Sequence, residues 1–251
     1  MPSSALATAG RVTAVTMDQF DITGFYNEYK FKRDAALIDV TPFGNRVSVD
    51  LAGIQKASIE LKGFYNSDHD TEMHKRFGQD DDVYLTLAPK GYRPMAPCIM
   101  LPSVITKYEI SAKAKDSVDL DAEFALRGFV DDGVMLISPK TNITAATGVS
   151  GVYNAGELIG TTDGGCAAQL HVWSLTGTTP TLDVKIQHSD DGATGWGDLM
   201  TFDTVDLASV QRQDLDVGNS VKQYVRLSYA LAGSGAARFL GGFARSIDFD
   251  S

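Results

Sequence analysis

The chain reads as an all-β protein with a single short helix, arranged as one β-sandwich or barrel-forming domain followed by a second β-sandwich. Three observations lead there. Apolar and polar residues alternate with period two in segment after segment. Only one stretch has both a helical start and a helical stop. Gly, Asp, Ser and Thr interrupt the alternating runs at intervals suited to hairpins and sandwiches.

The first half supplies most of the long strands. Residues 27–32 (NEYKFK) alternate aromatic with polar side chains, the pattern of a strand with one buried face. Residues 46–51 (RVSVDL) and 57–61 (ASIEL) alternate too, and a turn is expected between them at Gly53. Residues 70–77 (DTEMHKRF) carry an Asp or Thr cap and end at Gly78, which predicts a helix of about two turns. The acidic turn Asp80, Asp81, Asp82 then leads into a strand over 83–87 (VYLTL). Residues 104–114 and 118–126 predict a long hairpin closed by Lys115, Asp116 and Ser117, each arm reaching about 30 Å at strand rise. The polar faces carry Lys107, Glu109, Ser111 and Lys113 on one arm and Asp119, Asp121 and Glu123 on the other, and opposite charges across the two strands are expected to support the pairing modestly.

Around residues 139–160 the texture turns to Ser, Thr, Gly and Ala, which places a domain boundary near 141. The expected division is therefore 1–141 and 142–251. Further strands are expected at 166–175, 181–188, 201–207, 210–217, 222–231 and 236–245. The start of the chain lacks a basic region followed by an apolar run, so no secretory signal is expected, and residues 1–16 read as a mobile arm. No apolar run reaches the ~18 residues of a membrane helix.

Net charge is −10, divided as −4 over residues 1–141 and −6 over 142–251. Both halves being acidic argues against a protein that grips nucleic acid by neutralising phosphates. Cys98 and Cys166 are the only cysteines, too few for a disulfide framework or a zinc site, and are expected as free thiols in different domains. His69 and His74 are five apart, off the spacing of a helical zinc pair, and His171 lies inside an apolar strand as a core or interface histidine. Ser189, Asp190, Asp191 and Gly192 could offer hard oxygen ligands, but calcium-loop spacing is missing and a strand-ending turn is the better reading. No nucleophile elbow, phosphate loop or dinucleotide fingerprint occurs, so neither catalysis nor a cofactor is expected.

Residues 36–45 (ALIDVTPFGN), followed by Leu51-Ala52-Gly53-Ile54 and 57–65 (ASIELKGFY), resemble the opening of the major tail tube proteins of long-tailed bacteriophages. Residues 21–27 (DITGFYN) extend the likeness, and the strands over 104–126 sit where that family closes its sheet. The resemblance covers residues 17–137. It implies six-membered rings stacked into a tail tube that conducts DNA at ejection, in a virion protein made in the host bacterial cytoplasm. The implied partners are further copies of the chain and the tape-measure, tail-tip and tail-terminator proteins. DNA would pass without specific binding, and no membrane is involved. Under this reading Asp119, Asp121 and Glu123 face the lumen. Phe43, Gly44, Asn45 and Arg46, Asp80, Asp81 and Asp82, and the arm contact the next ring.

The second half resembles β-sandwich modules appended to phage virion proteins, through residues 184–192 (VKIQHSDDG), Trp196, Leu199 and 223–227 (QYVRL). Two rivals remain open: a glycan-binding module using Trp173, Trp196 and Tyr224, and a capsid decoration or minor tail protein.

Overall fold

The computed structural model describes residues 13–39, 50–112, 118–128, 130–139, 142–144, 146–155, 165–215 and 221–245. In chain order the elements are β1 (Ala14–Met17), β2 (Phe20–Asp21), β3 (Tyr26–Asp39), β4 (Asp50–Phe64), α1 (Ser67–Arg76), β5 (Val83–Ala88), β6 (Pro97–Ala112) and β7 (Val118–Leu126). They continue as β8 (Asp131–Ile137), β9 (Thr147–Val149), β10 (Tyr153–Asn154), β11 (Cys166–Ser189), β12 (Gly197–Thr201), β13 (Ser209–Leu215) and β14 (Tyr224–Arg245). The all-β class with one helix is what the alternation requires. No helix among the described residues is long and apolar enough to cross a membrane.

The chain forms two compact units that interleave in sequence. The smaller comprises Gly24–Val83 and Pro102–Val130, and the larger comprises the rest. This departs from the boundary expected at 141. The Ser/Thr/Gly texture there marks loops, but β8 pairs with β14 from Gly241 to Ala244, so residues before 141 share a sheet with the C-terminus. Cys98 and Cys166 both fall in the larger unit, buried and unbridged.

The larger unit is organised by β11 and β14, which pair antiparallel from Cys166↔Arg245 to Ser189↔Tyr224. Separate strands were expected on either side of Thr176–Pro180, yet β11 runs through as 24 residues with register shifts at Val172/Ser174 and Thr178/Thr181. Gly177 (φ +135°) and Gly235 make this passage possible, because a Cβ on Gly177 would lie 1.7 Å from the Ser234 carbonyl oxygen. Both halves of the bent hairpin feed one core. Leu170 and Val172 come from the first half, Leu182, Val184 and Ile186 from the second, and Phe239 and Phe243 from β14. β13 pairs with the first half of β11 and β12 with the second.

Residues 1–12 of the expected arm lie outside the described residues, but Ala14, Val15 and Thr16 are no arm. They belong to a buried strand paired with β5 from Ala14↔Ala88 to Met17↔Leu85. Four residues are too few for alternation to show in the sequence. Tyr92 fastens this strand: its hydroxyl lies 2.8 Å from Asp21 Oδ1, 2.9 Å from Thr16 Oγ1 and 3.1 Å from the Val15 carbonyl. Burial, reinforced by Asp21, raises its pKa well above the usual tyrosine range. The following turn holds Asp18 at φ +48°, with its Oδ1 accepting from the Tyr84 amide at 2.9 Å.

Candidate functional site

The smaller unit is built on a four-stranded antiparallel sheet in the order β3, β4, β7, β6. The turn expected at Gly53 is absent, because β4 runs unbroken from Asp50 to Phe64. Strand alternation then sorts the side chains. Ile59, Leu61, Leu120, Ala122, Phe124 and Ile105 are buried, while their neighbours in sequence point to the opposite face.

Helix α1 belongs to the same unit. It starts three residues before the sequence reading placed it, and its last turn carries His74, Lys75 and Arg76, favourable to the helix dipole. Gly78 (φ +76°) follows in the left-handed conformation of a C-terminal cap. Met73 is fully buried, and Tyr108 of β6 meets His74 edge-on at 5.7 Å and Phe77 at 6.5 Å. The Tyr108 hydroxyl donates to Asp70. Burial first, and that carboxylate second, raise its pKa.

The polar face carries the residues singled out in the sequence. Asp119, Asp121 and Glu123 alternate with the buried Leu120, Ala122 and Phe124, so all three lie on one side of β7. Their surroundings are mixed in charge. Lys30, Glu60, Glu123 and Lys107 form one cross-strand row, and Glu28, Lys62, Asp121 and Glu109 form the next. Lys107 faces Glu123, an opposite-charged pair, while Glu109 faces Asp121, a like-charged one. Lysines offset this: Lys32 binds Glu60 at 2.7 Å and Lys107 binds Glu109 at 2.7 Å. The hydrogen bond from Lys32 holds the Glu60 carboxyl below its usual range, and the bond to Glu60 raises Lys32.

Asp80, Asp81 and Asp82 form the exposed turn between α1 and β5. Arg127, which the sequence reading passed over, holds it: the guanidinium sits 2.9 Å from Asp80 Oδ1 and 3.6 Å from Asp82 Oδ1. Phe43, Gly44, Asn45 and Arg46 lie outside the described residues. The unit also exposes large apolar side chains: Phe64, Tyr65, Phe77, Ile110 and Val118. Phe64 pairs with Asp119, the Tyr65 amide donates to the Val118 carbonyl, and Ile110 pairs with Leu120, which gathers them at one end of the sheet.

In the larger unit, the acidic turn after β11 is a turn. Asp191 Oδ1 accepts from the amides of Ala193 (2.9 Å) and Thr194 (2.8 Å), and Oδ2 accepts from the Thr194 hydroxyl (2.6 Å). These bonds, the Thr194 hydroxyl foremost, hold its carboxyl well below the usual carboxylate range. Replacing Asp191 with Ala is expected to speed amide hydrogen exchange at Ala193 and Thr194, while Asp191→Asn retains an acceptor and most of the protection. Equal exchange in all three proteins would refute this role. Among the described residues no group of three His, Cys, Asp or Glu side chains converges to hold a metal ion.

The aromatic residues of the glycan rival are half-buried. Trp173 packs edge-on against Tyr92 at 5.1 Å. The guanidinium of Arg226 covers the Trp196 ring at 4.1 Å. A Cβ at Gly192 would lie 2.8 Å from the Tyr224 ring, so the turn backbone covers that ring too.

No protein-family model and no curated protein matches the chain. Solved structures similar to it come from phages and a gene transfer agent particle. One is a chain of the virion of a native gene transfer agent, at 18% identity and TM-score 0.44, with 50% of this chain and 98% of that chain covered. Another is the Dit protein of phage SPP1, described as a hub adsorption apparatus, at 12% identity and TM-score 0.36, with 93% and 98% covered. A third is a chain of the phage p2 baseplate in its activated conformation, at 10% identity and TM-score 0.36, with 95% and 99% covered.

Proposed function

We propose that this chain is a structural tail protein whose copies assemble as six-membered rings, stacked into a tube through which DNA leaves the particle. The observation that carries the reading is β3. It is 14 residues long and pairs with β4 alone among the described strands. A long strand edge is a template for pairing with another chain, and closing sheets from several copies into a ring covers it. The exposed Phe64, Tyr65, Phe77, Ile110 and Val118 support the same reading, because apolar side chains gathered at one end suit contact with another subunit.

Asp119, Asp121 and Glu123 are the proposed lumen residues. Interleaved with Lys62 and Lys107, they make a surface on which a polyanion finds no continuous basic track. The Asp80–Asp82 turn and residues 43–46 are the proposed ring-stacking segments. Tape-measure, tail-tip and terminator proteins are the proposed further partners, with synthesis in the host cytoplasm before incorporation into the tail.

Negative-stain microscopy of the purified chain is expected to show hollow rings or tubes, and a monomer at every concentration overturns the reading. A sharper test uses neighbouring substitutions on the edge, Lys30→Pro and Phe31→Pro. Successive N–H groups of an edge strand point alternately inward and outward, so one of the two spares the ladder to β4. That variant is expected to keep the parent's melting temperature and lose assembly. Deleting residues 142–251 would remove β14 from its pairing with β8, so that truncation does not isolate a ring-forming part.

A further inference from the structure

Gln169 is fully buried, and neither its amide nitrogen nor its amide oxygen has a hydrogen-bond partner among the described residues. A native interior seldom leaves both ends of a carboxamide unsatisfied, because each forfeited bond costs the desolvation of a strong polar group. The strand register identifies what surrounds it. Gln169 on β11 lies opposite Arg212 on β13 and Gly242 on β14. Gly242 brings no side chain, and the space a Cβ would take there is held by Met100 Sδ at 2.6 Å and Cys98 Sγ at 3.5 Å. Those sulfurs are weak acceptors. On the other side Arg212 Nη1, in ion-pair contact with Asp131 at 2.8 Å, has hydrogen-bonding capacity left over. Among the described residues nothing strong therefore reaches the amide, while a charged donor sits on the adjacent strand.

We infer that an ordered internal water is bound beside Gln169, accepting from its amide N–H or donating to its amide oxygen, and linking it to the Arg212 guanidinium. Water is the ligand class that fits, because it donates and accepts at once and is the usual partner of buried polar groups that the chain leaves open. The inference is independent of the ring reading, since it concerns the interior of the larger unit alone.

Two measurements on the full chain test it. A high-resolution crystal structure is expected to show a water peak within hydrogen-bond distance of the Gln169 amide, and apolar atoms packed directly against both ends of the amide would overturn the inference. The isosteric variant Gln169→Met discriminates independently. If the water satisfies the amide, losing those bonds lowers the melting temperature by about 2–4 °C. If the amide is bare, the same substitution removes a penalty and the melting temperature stays level or rises, which overturns the inference. Should the variant not fold, the native crystal structure decides alone.

Discussion

Truncating Arg212 to Ala is expected to cost about 3–5 kcal/mol of unfolding free energy, the range seen when one partner of a buried ion pair is removed. Arg212 is 9% exposed and Asp131 only 2%, and their charged atoms are 2.8 Å apart. Arg212 also forks onto Asp214, with Nε and Nη2 donating at 2.9 and 2.6 Å. Burial alone would lower the Arg212 pKa, and the two carboxylates outweigh it and raise the group above its ordinary value. Without the guanidinium, the Asp131 charge is left in the interior between β8 and β13. The single variant is best measured by urea unfolding beside Asp131→Leu and the double variant Asp131→Leu with Arg212→Met. The double variant is expected to recover most of the loss, because two apolar groups need no compensation. A cost below about 1 kcal/mol for Arg212→Ala would place the pair with exposed salt bridges and refute its interior role.

Acid is the second large lever. His171 is fully buried, with Nε2 2.8 Å from the Thr86 hydroxyl and Nδ1 2.5 Å from the Asp18 carbonyl. The carbonyl can only accept, so Nδ1 carries the proton and Nε2 accepts from Thr86. Burial pulls the His171 pKa down from 6.5 to about 4, with the Asp18 carbonyl opposing it. In the unfolded chain the imidazole takes up its proton near pH 6.5. Below that value the unfolded state binds more protons than the folded one, so stability falls with pH. The contribution is complete above pH 6.5 and is lost progressively toward pH 4, a difference on the order of 3 kcal/mol. Unfolding free energies at pH 7, 5.5 and 4.5 are expected to drop more steeply for the parent than for His171→Gln, which has no titrating group there. Parallel slopes would sink the prediction, as would an imidazole that titrates near pH 6.5 in the folded protein by NMR.

These two sites were legible in the sequence to different degrees. His171 inside an apolar strand reads as a core or interface histidine, because its immediate neighbours are apolar, and the structure places it in the core. That Asp18 and Thr86 would meet its two nitrogens is set by strands far away in the chain. Arg212 shows no signal of burial at all: it sits among Gln211, Gln213 and Asp214, and local polarity reads as surface. Only the pairing of β13 along β11 carries it inside. Gln169 differs from Arg212: it lies between Ala168 and Leu170 in a run buried on both faces from Cys166 to Val172, so its surroundings signal the interior and only its own polarity argues against it.

By itself the sequence determined the all-β class, the one helix and its Gly78 stop, the common face of Asp119, Asp121 and Glu123, and the turn at Asp191. Each depends on periodicity or turn chemistry within a few residues, which the chain encodes locally. The tertiary structure alone decided how β11 and β14 run through their expected breaks, which residues form each unit, and which charges face one another across the small sheet. Those outcomes depend on register between strands distant in sequence. A shift of one residue exchanges the buried face for the exposed one, and nothing local to either strand records which partner it will meet.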